Sequence, residues 1–252
     1  CTMLNNFTKR EELINFLKFQ YFMGVDNIFH VSGKNIDEEV KKDNNLSKGK
    51  TNIDIFQINS LEELENSIGD VRECNLKKTA KNLVFFDGNK DSNVMLIGEA
   101  PGRDEDILGK PFVGKAGKLL NKMMSSVGFS RNDLYFTNVI PWRPPGNRTP
   151  SNEEINMYRP FLIRHIQLKK PQIILSLGGV SSKILLNTTS GIMSLRGKIK
   201  NVDFGVKENI EMNIPILPTF HPAFLLRSPN LKKLVFQDLL LLRRQVDSIE
   251  KE

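Results

Sequence analysis

Three polar side chains that could take part in chemistry each follow an apolar run of this sequence. Glu99 comes shortly after the run Val94–Ile97, Asn138 ends a second run and His221 follows a third. A carboxylate can position water, an amide can pair with a ligand through one donor and one acceptor, and an imidazole can stabilise a developing negative charge. The residues alone leave simpler alternatives open: a strand–loop–helix connection at Glu99, a turn at Asn138 and a helix cap at His221.

The elements that would position these side chains alternate along the chain. Apolar runs predict strands, and apolar residues at helical spacing predict helices between them. The predicted strands are residues 94–98, 134–139, 172–177 and 214–219, and the predicted helices are residues 115–127, 151–169, 179–187 and 230–247. This alternation predicts an α/β fold, a three-layer α/β/α sandwich around a central, mainly parallel four-stranded sheet. The carboxyl ends of parallel strands share one edge, where open α/β sheets bind ligands.

The part of the chain before this sheet has a different composition. Residues 1–59 are predicted to form an N-terminal helical extension with a polar linker, and residues 60–252 to form the α/β domain. The linker alternates acidic and basic residues, which favours a solvated segment over a basic arm that contacts DNA. A short strand is predicted at Asn82–Phe86, followed by a turn at residues 87–89.

Composition narrows the possible partners. The 252 residues carry a net charge of +7, which favours polyanionic partners such as nucleic acid. The two cysteines, Cys1 and Cys74, cannot build a disulfide framework or a four-cysteine metal site, and they suit a reducing compartment, so a cytoplasmic location is expected. No apolar run approaches the length that would span a membrane.

Five stretches of the chain together resemble a known enzyme family. They are Gly98-Glu99-Ala100-Pro101-Gly102, Gly109-Lys110-Pro111-Phe112-Val113-Gly114, Thr137-Asn138-Val139, Trp142-Arg143-Pro144-Pro145-Gly146-Asn147-Arg148 and His221-Pro222-Ala223-Phe224-Leu225-Leu226-Arg227. In this order they are similar to family 4 of the uracil-DNA glycosylase superfamily. The resemblance implies an enzyme of base-excision repair that flips deoxyuridine out of single- or double-stranded DNA. It would hydrolyse the N-glycosidic bond with water, release uracil and leave an abasic site.

The resemblance assigns catalytic roles to Glu99, Asn138 and His221. His221 would donate a hydrogen bond to the uracil carbonyl oxygen that becomes anionic, and Glu99 would position water or orient the pocket. Asn138 would pair with the edge of uracil and mismatch cytosine, which presents a donor in place of a carbonyl. Ala100 stands where the best-known superfamily members carry a water-activating aspartate, which leaves the partner of the water open.

Uracil binding is implied for Gly98, Ala100 and Phe112 as well as for Asn138 and His221. An aromatic face at Phe112 can stack on any flipped base, worth roughly 1–3 kcal/mol. The residues by themselves also allow Phe112 to be an ordinary core side chain. Selectivity for uracil would then come from Asn138 and the shape of the pocket.

DNA contacts are implied for one apolar and several basic side chains. Leu225 or Leu226 could enter the duplex where the base leaves, although core packing of a short helix explains either leucine equally well. Ordinary surface charge is the alternative for each basic residue. The predicted phosphate contacts are Arg143, Arg148, Arg196 and Arg227.

The sequence departs from family 4 at the cofactor. Family members typically hold a [4Fe–4S] cluster through four cysteines, of which this chain keeps Cys74 alone. The matching positions hold Val71, Trp142 and Tyr158. Ligation by four thiolates is impossible within such a chain, so no cluster and no metal are expected. Packing by the aromatic residues would stabilise the fold in its place.

Two other classes of function remain as alternatives. One is a catalytically silent DNA-binding protein on the same fold, which the presence of Glu99, Asn138 and His221 disfavours. The other is a nucleotide-binding α/β protein attached to replication, although no polymerase-like pair of metal-binding acids is evident. A monomer is expected.

Overall fold

The computed structural model describes residues 55–71, 74–205 and 212–249. The helices are α1 Leu61–Gly69, α2 Asn75–Thr79, α3 Arg103–Leu108, α4 Lys115–Ser125, α5 Asn152–Lys169, α6 Gly179–Leu185, α7 Ile192–Leu195, α8 Pro222–Arg227 and α9 Lys232–Ile249. The strands are β1 Asp87–Gly88, β2 Val94–Gly98, β3 Tyr135–Asn138, β4 Ile173–Leu177, β5 Lys200–Asp203 and β6 Asn213–Thr219. Most of the predicted N-terminal extension lies outside the described residues, and the division at residue 59 stays a prediction.

The strands form one six-stranded sheet in the order β1-β3-β2-β4-β6-β5. The four central strands are parallel, and the two edge strands are antiparallel to their neighbours. The α/β class is therefore confirmed, but the predicted sheet of four strands was too small. Both edge strands escaped prediction because β1 has only two residues and β5 reads Lys-Asn-Val-Asp, which is not an apolar run.

Alternating strand residues separate the two faces of the sheet. Met95 and Ile97 belong to a buried cluster with Leu64 of α1 and Phe161 of α5. Leu96 is also fully buried but stands outside that cluster, as expected when successive side chains point to opposite faces. Helices therefore cover both faces, and the central strands are apolar throughout because neither face meets water.

The predicted strand at Asn82–Phe86 is absent. The backbone N–H groups of Lys81 and Asn82 donate instead to the carboxylate of buried Asp106 in α3, at 2.7 and 3.2 Å. Val84 donates to the carbonyl of Pro141. These backbone groups find partners outside a ladder, which apolar character alone could not reveal. Among the described residues, no helix is long and apolar enough to cross a membrane.

Candidate active site at the carboxyl edge of the sheet

Gly98, Asn138 and Phe112 meet where β2 and β3 end. Gly98 pairs with Asn138 in the parallel ladder. A Cβ atom added to Gly98 would overlap the side-chain oxygen of Asn138 and would lie 2.5 Å from Cζ of Phe112. Glycine is needed at this position because any side chain would displace both the amide and the ring.

His221 joins this group from the end of β6. Its ring centroid lies 6.1 Å from that of Phe112. Gly178, at the end of β4, has φ +93° and packs against the histidine: a Cβ atom there would lie 2.9 Å from Cβ of His221. We call Gly98, Glu99, Phe112, Asn138 and His221 the strand-end site. Four strand ends thus meet at one edge of the sheet.

The position of His221 before α8 fixes its protonation. Its Nδ1 accepts a hydrogen bond from the backbone N–H of Ala223 at 3.2 Å, so His221 caps the helix. Burial, followed by the charge of Arg227, lowers the pKa of His221 to about 4. The ring is therefore neutral at pH 7 with its proton on Nε2, and no described residue accepts a hydrogen bond from that nitrogen. Capping and a role in chemistry are compatible, because they use different nitrogens.

The Asn138 side chain is 7% exposed, yet its amide makes no hydrogen bond to a described residue. Buried amides are normally paired, since an unpaired buried polar group costs about 1–3 kcal/mol. An amide held at a strand end without an internal partner is suited to a ligand that supplies one acceptor and one donor.

Glu99 follows Gly98 and is half-buried. Its backbone carbonyl accepts from Ile140 at 3.0 Å, which extends the pairing of β2 and β3 by one step and fixes the start of the loop. Burial raises the pKa of its carboxyl group. A raised pKa brings a carboxylate closer to the range useful for accepting a proton from water.

The segment that carries Phe112 is shaped by a residue that the sequence did not single out as functional. Glu105 of α3 accepts from the backbone N–H groups of Val113 and Gly114 at 3.1 and 2.9 Å. Gly117 of α4 packs so closely on Phe112 that an added Cβ atom would lie 2.7 Å from the Phe112 Cα. Phe112 is 5% exposed, so its ring is at once a packed side chain and a wall of the site.

The predicted phosphate-binding arginines differ in their surroundings. Arg227 is exposed, and its side chain makes no hydrogen bond or ion pair with a described residue. Arg143 donates to Asn147 at 2.7 Å and lies 3.8 Å from the carboxylate of buried Asp106. Arg148 pairs with Glu154 at 2.6 Å. All three remain near the surface.

Arg196 and Leu225 are placed inside the fold. The Arg196 guanidinium donates to both carboxylate oxygens of Asp238 and to the backbone carbonyl of Leu234. Leu225 is fully buried, whereas its neighbour Leu226 is 46% exposed. The DNA-binding roles predicted for Arg196 and Leu225 stay predictions, and Leu226 is the leucine of this pair that lies at the surface.

The positions that match the cluster cysteines of family 4 form a sealed group, which we call the Cys74 cluster: Val71, Cys74, Trp142 and Tyr158. All four are buried. Trp142 Nε1 and the Tyr158 hydroxyl are fully buried and make no hydrogen bond of standard geometry. The hydroxyl lies close to Cys74 and Trp142, and burial, followed by the contact with Cys74, raises the pKa of Tyr158. One thiol among aromatic side chains does not fit an iron–sulfur cluster. The described residues contain no group of three or more histidine, cysteine or acidic side chains arranged to hold a metal ion.

A cavity of about 470 Å³ lies at the opposite edge of the sheet. Asn93, Asp133 and Gln172, which line it, each precede a central strand. None of the predicted site residues lines this cavity. Open α/β sheets bind their ligands at the carboxyl ends of the strands, so the strand-end site is the stronger candidate.

The fold is that of an α/β protein with a group of polar side chains at the ends of its parallel strands. Residues 85–240 match the family model described as the Uracil DNA glycosylase superfamily. The chain belongs to this superfamily and, within it, to the type-4 uracil-DNA glycosylases that its curated relatives represent.

Three of those relatives, each named type-4 uracil-DNA glycosylase, come from different organisms. The Archaeoglobus fulgidus protein is 37% identical over 69% of this chain and 87% of its own length. The Saccharolobus solfataricus protein is 36% identical over 76% of this chain and 88% of its own length. The Thermotoga maritima protein is 36% identical over 66% of this chain and 84% of its own length.

Proposed function

We propose that this protein is a monofunctional uracil-DNA glycosylase whose chemistry takes place at the strand-end site. The observation that carries the proposal is the convergence of Asn138, Phe112 and His221, with an amide and an imidazole N–H that no described residue uses. The names of the relatives supply the reaction, hydrolytic removal of uracil from DNA. The net charge of +7 suits a polyanionic substrate.

Recognition begins when deoxyuridine leaves the base stack and enters the site. The Phe112 ring stacks on the base. The Asn138 amide donates to a carbonyl of uracil and accepts from its N3–H, a pairing that cytosine cannot reproduce. Glycine at position 98 lets Asn138 and Phe112 pack against the end of β2 in the positions that the base requires, because a Cβ atom there would overlap both side chains.

Bond cleavage transfers charge to the base. The bond between C1′ of the sugar and N1 of uracil breaks, and its electron pair moves onto uracil, where it spreads to O2. The Nε2–H of His221 donates to that oxygen, and because the ring is neutral, it acts as a hydrogen-bond donor and not as a strong acid. Water then adds to C1′ of the oxocarbenium-like sugar and loses its proton to the Glu99 carboxylate.

DNA would be held by side chains around α8 and the loop after β3. Exposed Leu226 enters the space that the flipped nucleotide leaves, while Arg227 and Arg143 contact phosphate. Arg148 can contribute only by exchanging or sharing its ion pair with Glu154. Arg196 and Leu225 act from inside the fold, by holding β6, α8 and α9 together.

The chemistry in this proposal requires no iron–sulfur cluster. The Cys74 cluster offers one thiolate where four are needed, and its remaining side chains occupy the space. Iron and acid-labile sulfide are expected at background levels in the purified, active protein, with no visible absorption band. An active protein that carries stoichiometric iron would refute this part of the proposal.

The proposed activity is tested with uracil-containing oligonucleotides, single-stranded and double-stranded, followed by alkali. Strand breaks are expected only after alkali, because the product is an abasic site and not a nick. Matched oligonucleotides with thymine or cytosine at the same position should stay intact. DNA binding without release of uracil would identify the silent binding protein instead.

Asn138→Asp gives a specificity test of the same site. A carboxyl group can present an acceptor to the amino group of cytosine, so this variant is expected to gain measurable release of cytosine while losing most activity on uracil. A variant that loses both activities while folded would argue against base reading by Asn138.

A further inference from the structure

We infer that Arg131 is a positioning residue that fixes the Phe112 ring against the base. The inference rests on the proposed function, and it concerns a residue in none of the five motif stretches. Arg131 opens a short 3₁₀ helix, Arg131–Asp133, immediately before β3. It acts on the site through the backbone of the segment that carries Phe112 and through the Phe136 ring, which lies 6.0 Å from the Phe112 ring between centroids.

Phe112 has a backbone conformation that requires support. Its φ of +55° lies in the left-handed region, which a bulky aromatic residue seldom adopts. Such a conformation persists when surrounding contacts determine it, and it is common where a side chain must be held in one place for function. The ring direction at the strand-end site therefore depends on whatever holds the carbonyls of Pro111 and Phe112.

Arg131 holds both of these carbonyls. Its Nη2 donates to Pro111 O at 2.7 Å, and its Nη1 donates to Phe112 O at 3.2 Å. Glu105 binds the two following N–H groups from the other side of the segment. The peptide groups on either side of Phe112 are thus bound by side chains from two different elements.

The guanidinium itself is held on every side. Nε and Nη2 donate to the Asp87 carboxylate at 2.9 and 2.7 Å, and Nη1 also donates to Asn121 at 3.2 Å. Its plane lies over the Phe136 ring, with Cζ 4.3 Å from the ring centroid. All five N–H groups of the guanidinium thus donate hydrogen bonds. The Arg131 side chain is therefore held in one position within the fold and does not behave as a surface charge.

Lysine cannot reproduce this arrangement. Its ammonium group has three donors, no plane to stack on Phe136 and no fork that could reach Asp87 and both carbonyls together. Arg131→Lys therefore keeps the charge but releases the Phe112 segment. Arg164→Lys is the matched control, because Arg164 also donates through Nε and Nη2 to one backbone carbonyl, that of Ile58, far from the strand-end site.

The test measures kcat/KM for uracil release in Arg131→Lys, Phe112→Ala, the double variant and Arg164→Lys, with thermal unfolding of each. Arg131→Lys is expected to lose about tenfold or more in kcat/KM, in keeping with the energy of one stacked base. In the protein that already carries Phe112→Ala, Arg131→Lys should change kcat/KM by less than about twofold, because the ring that Arg131 positions is absent. Arg164→Lys should lower the unfolding temperature without changing kcat/KM of the folded protein.

Either of two results would overturn the inference: full activity in folded Arg131→Lys, or an equal loss in both backgrounds. Gly117→Ala serves if Arg131→Lys does not fold, because its new methyl group would overlap the Phe112 carbonyl and displace the backbone that Arg131 holds, while Arg131 itself stays in place. It should show the same dependence on Phe112, and wild-type activity in it would count against the inference. An inactive wild-type protein would refute the proposed function itself. An active wild-type protein with either of the two results above would refute only the role of Arg131.

Discussion

The strand-end site and the Cys74 cluster both bury polar groups that make no hydrogen bond of standard geometry to a described residue, but they differ in their access to solvent. Trp142 Nε1 and the Tyr158 hydroxyl are sealed off completely. Asn138 retains 7% exposure, and His221 is half-buried. A ligand could therefore supply the missing hydrogen bonds in the strand-end site, whereas no ligand can reach the polar groups of the Cys74 cluster.

This difference separates stability from activity. An unpaired buried polar group costs about 1–3 kcal/mol wherever it lies. In the strand-end site that cost is recovered when the ligand supplies the missing hydrogen bonds, so the cost appears as binding energy. In the Cys74 cluster nothing returns it, and the surrounding apolar packing must outweigh it. Substitutions in the two regions should consequently change different measured quantities.

The largest effect is expected from Asn138→Ala and His221→Ala. Each removes a donor to the developing charge or to the base, so kcat should fall about 10²–10³-fold. Asn138→Ala should leave the unfolding temperature unchanged or raised, and His221→Ala should lower it only by the loss of a helix cap. His165→Ala is the control, because His165 is a buried histidine whose Nε2, unlike that of His221, is already bonded inside the fold, to the Tyr135 hydroxyl at 2.6 Å. His165→Ala should lower the unfolding temperature and leave kcat unchanged. A fall in kcat of less than tenfold in Asn138→Ala and His221→Ala would contradict the catalytic roles assigned to these residues.

The next effect concerns the pH dependence of Glu99. Burial raises the pKa of Glu99 above its ordinary value, so activity should fall as the pH drops through that raised pKa, while His221 stays neutral above about pH 4. Glu99→Gln should lose about a hundredfold in kcat and should flatten this acidic limb. Because a carboxyl group with a raised pKa destabilises the fold once it ionises, Glu99→Gln should also raise the free energy of unfolding at pH 7. An unchanged acidic limb in the variant would exclude Glu99 as the titrating group.

The adjacent residues Leu225 and Leu226 should show smaller effects, one on stability and the other on activity. Leu226→Ala should lower activity several-fold on double-stranded substrate, with less effect on single-stranded substrate and none on stability, because the side chain is 46% exposed. Leu225→Ala should cost about 2–5 kcal/mol of unfolding free energy, as expected for a buried leucine. Equal activity of Leu226→Ala on both substrates would remove the wedge from the mechanism.

The smallest effect is expected at Tyr158. Tyr158→Phe removes a buried hydroxyl that makes no hydrogen bond of standard geometry and only contacts Cys74 and Trp142, so the free energy of unfolding should stay the same or rise by about 1 kcal/mol, and kcat should not change. Denaturant unfolding measures the difference. A loss of stability greater than 1 kcal/mol would mean that the contacts of the hydroxyl with Cys74 and Trp142 are full hydrogen bonds, and the two regions would no longer differ in the way described.

The sequence predicted the central strands well because they are continuous apolar runs. The strand at residues 94–98 has the predicted bounds, and the other three differ by one residue at one or both ends. It could not predict β1, since Asp87 and Gly88 join the sheet only through backbone pairing with β3. Edge strands of this kind carry no periodicity.

The site was predictable to the extent that topology determines it. Glu99, Asn138 and His221 lie at strand ends, and parallel strands bring their ends to one edge. Gly178 and Arg131 were beyond reach, because their roles come from packing against residues 43 and about 20 positions away, His221 and the Phe112 segment. No local pattern reports such long-range contacts.

The six residues of α8 have one further consequence. The imidazole of His221 is bonded to the first turn of this helix, and Leu226 and Arg227 stand at its far end. In the proposed function, DNA contacts Leu226 and Arg227, so any displacement of α8 on binding would be passed to the histidine at its other end. On that proposal, the binding of the DNA backbone and the direction of the Nε2–H donor would be coupled through one short helix.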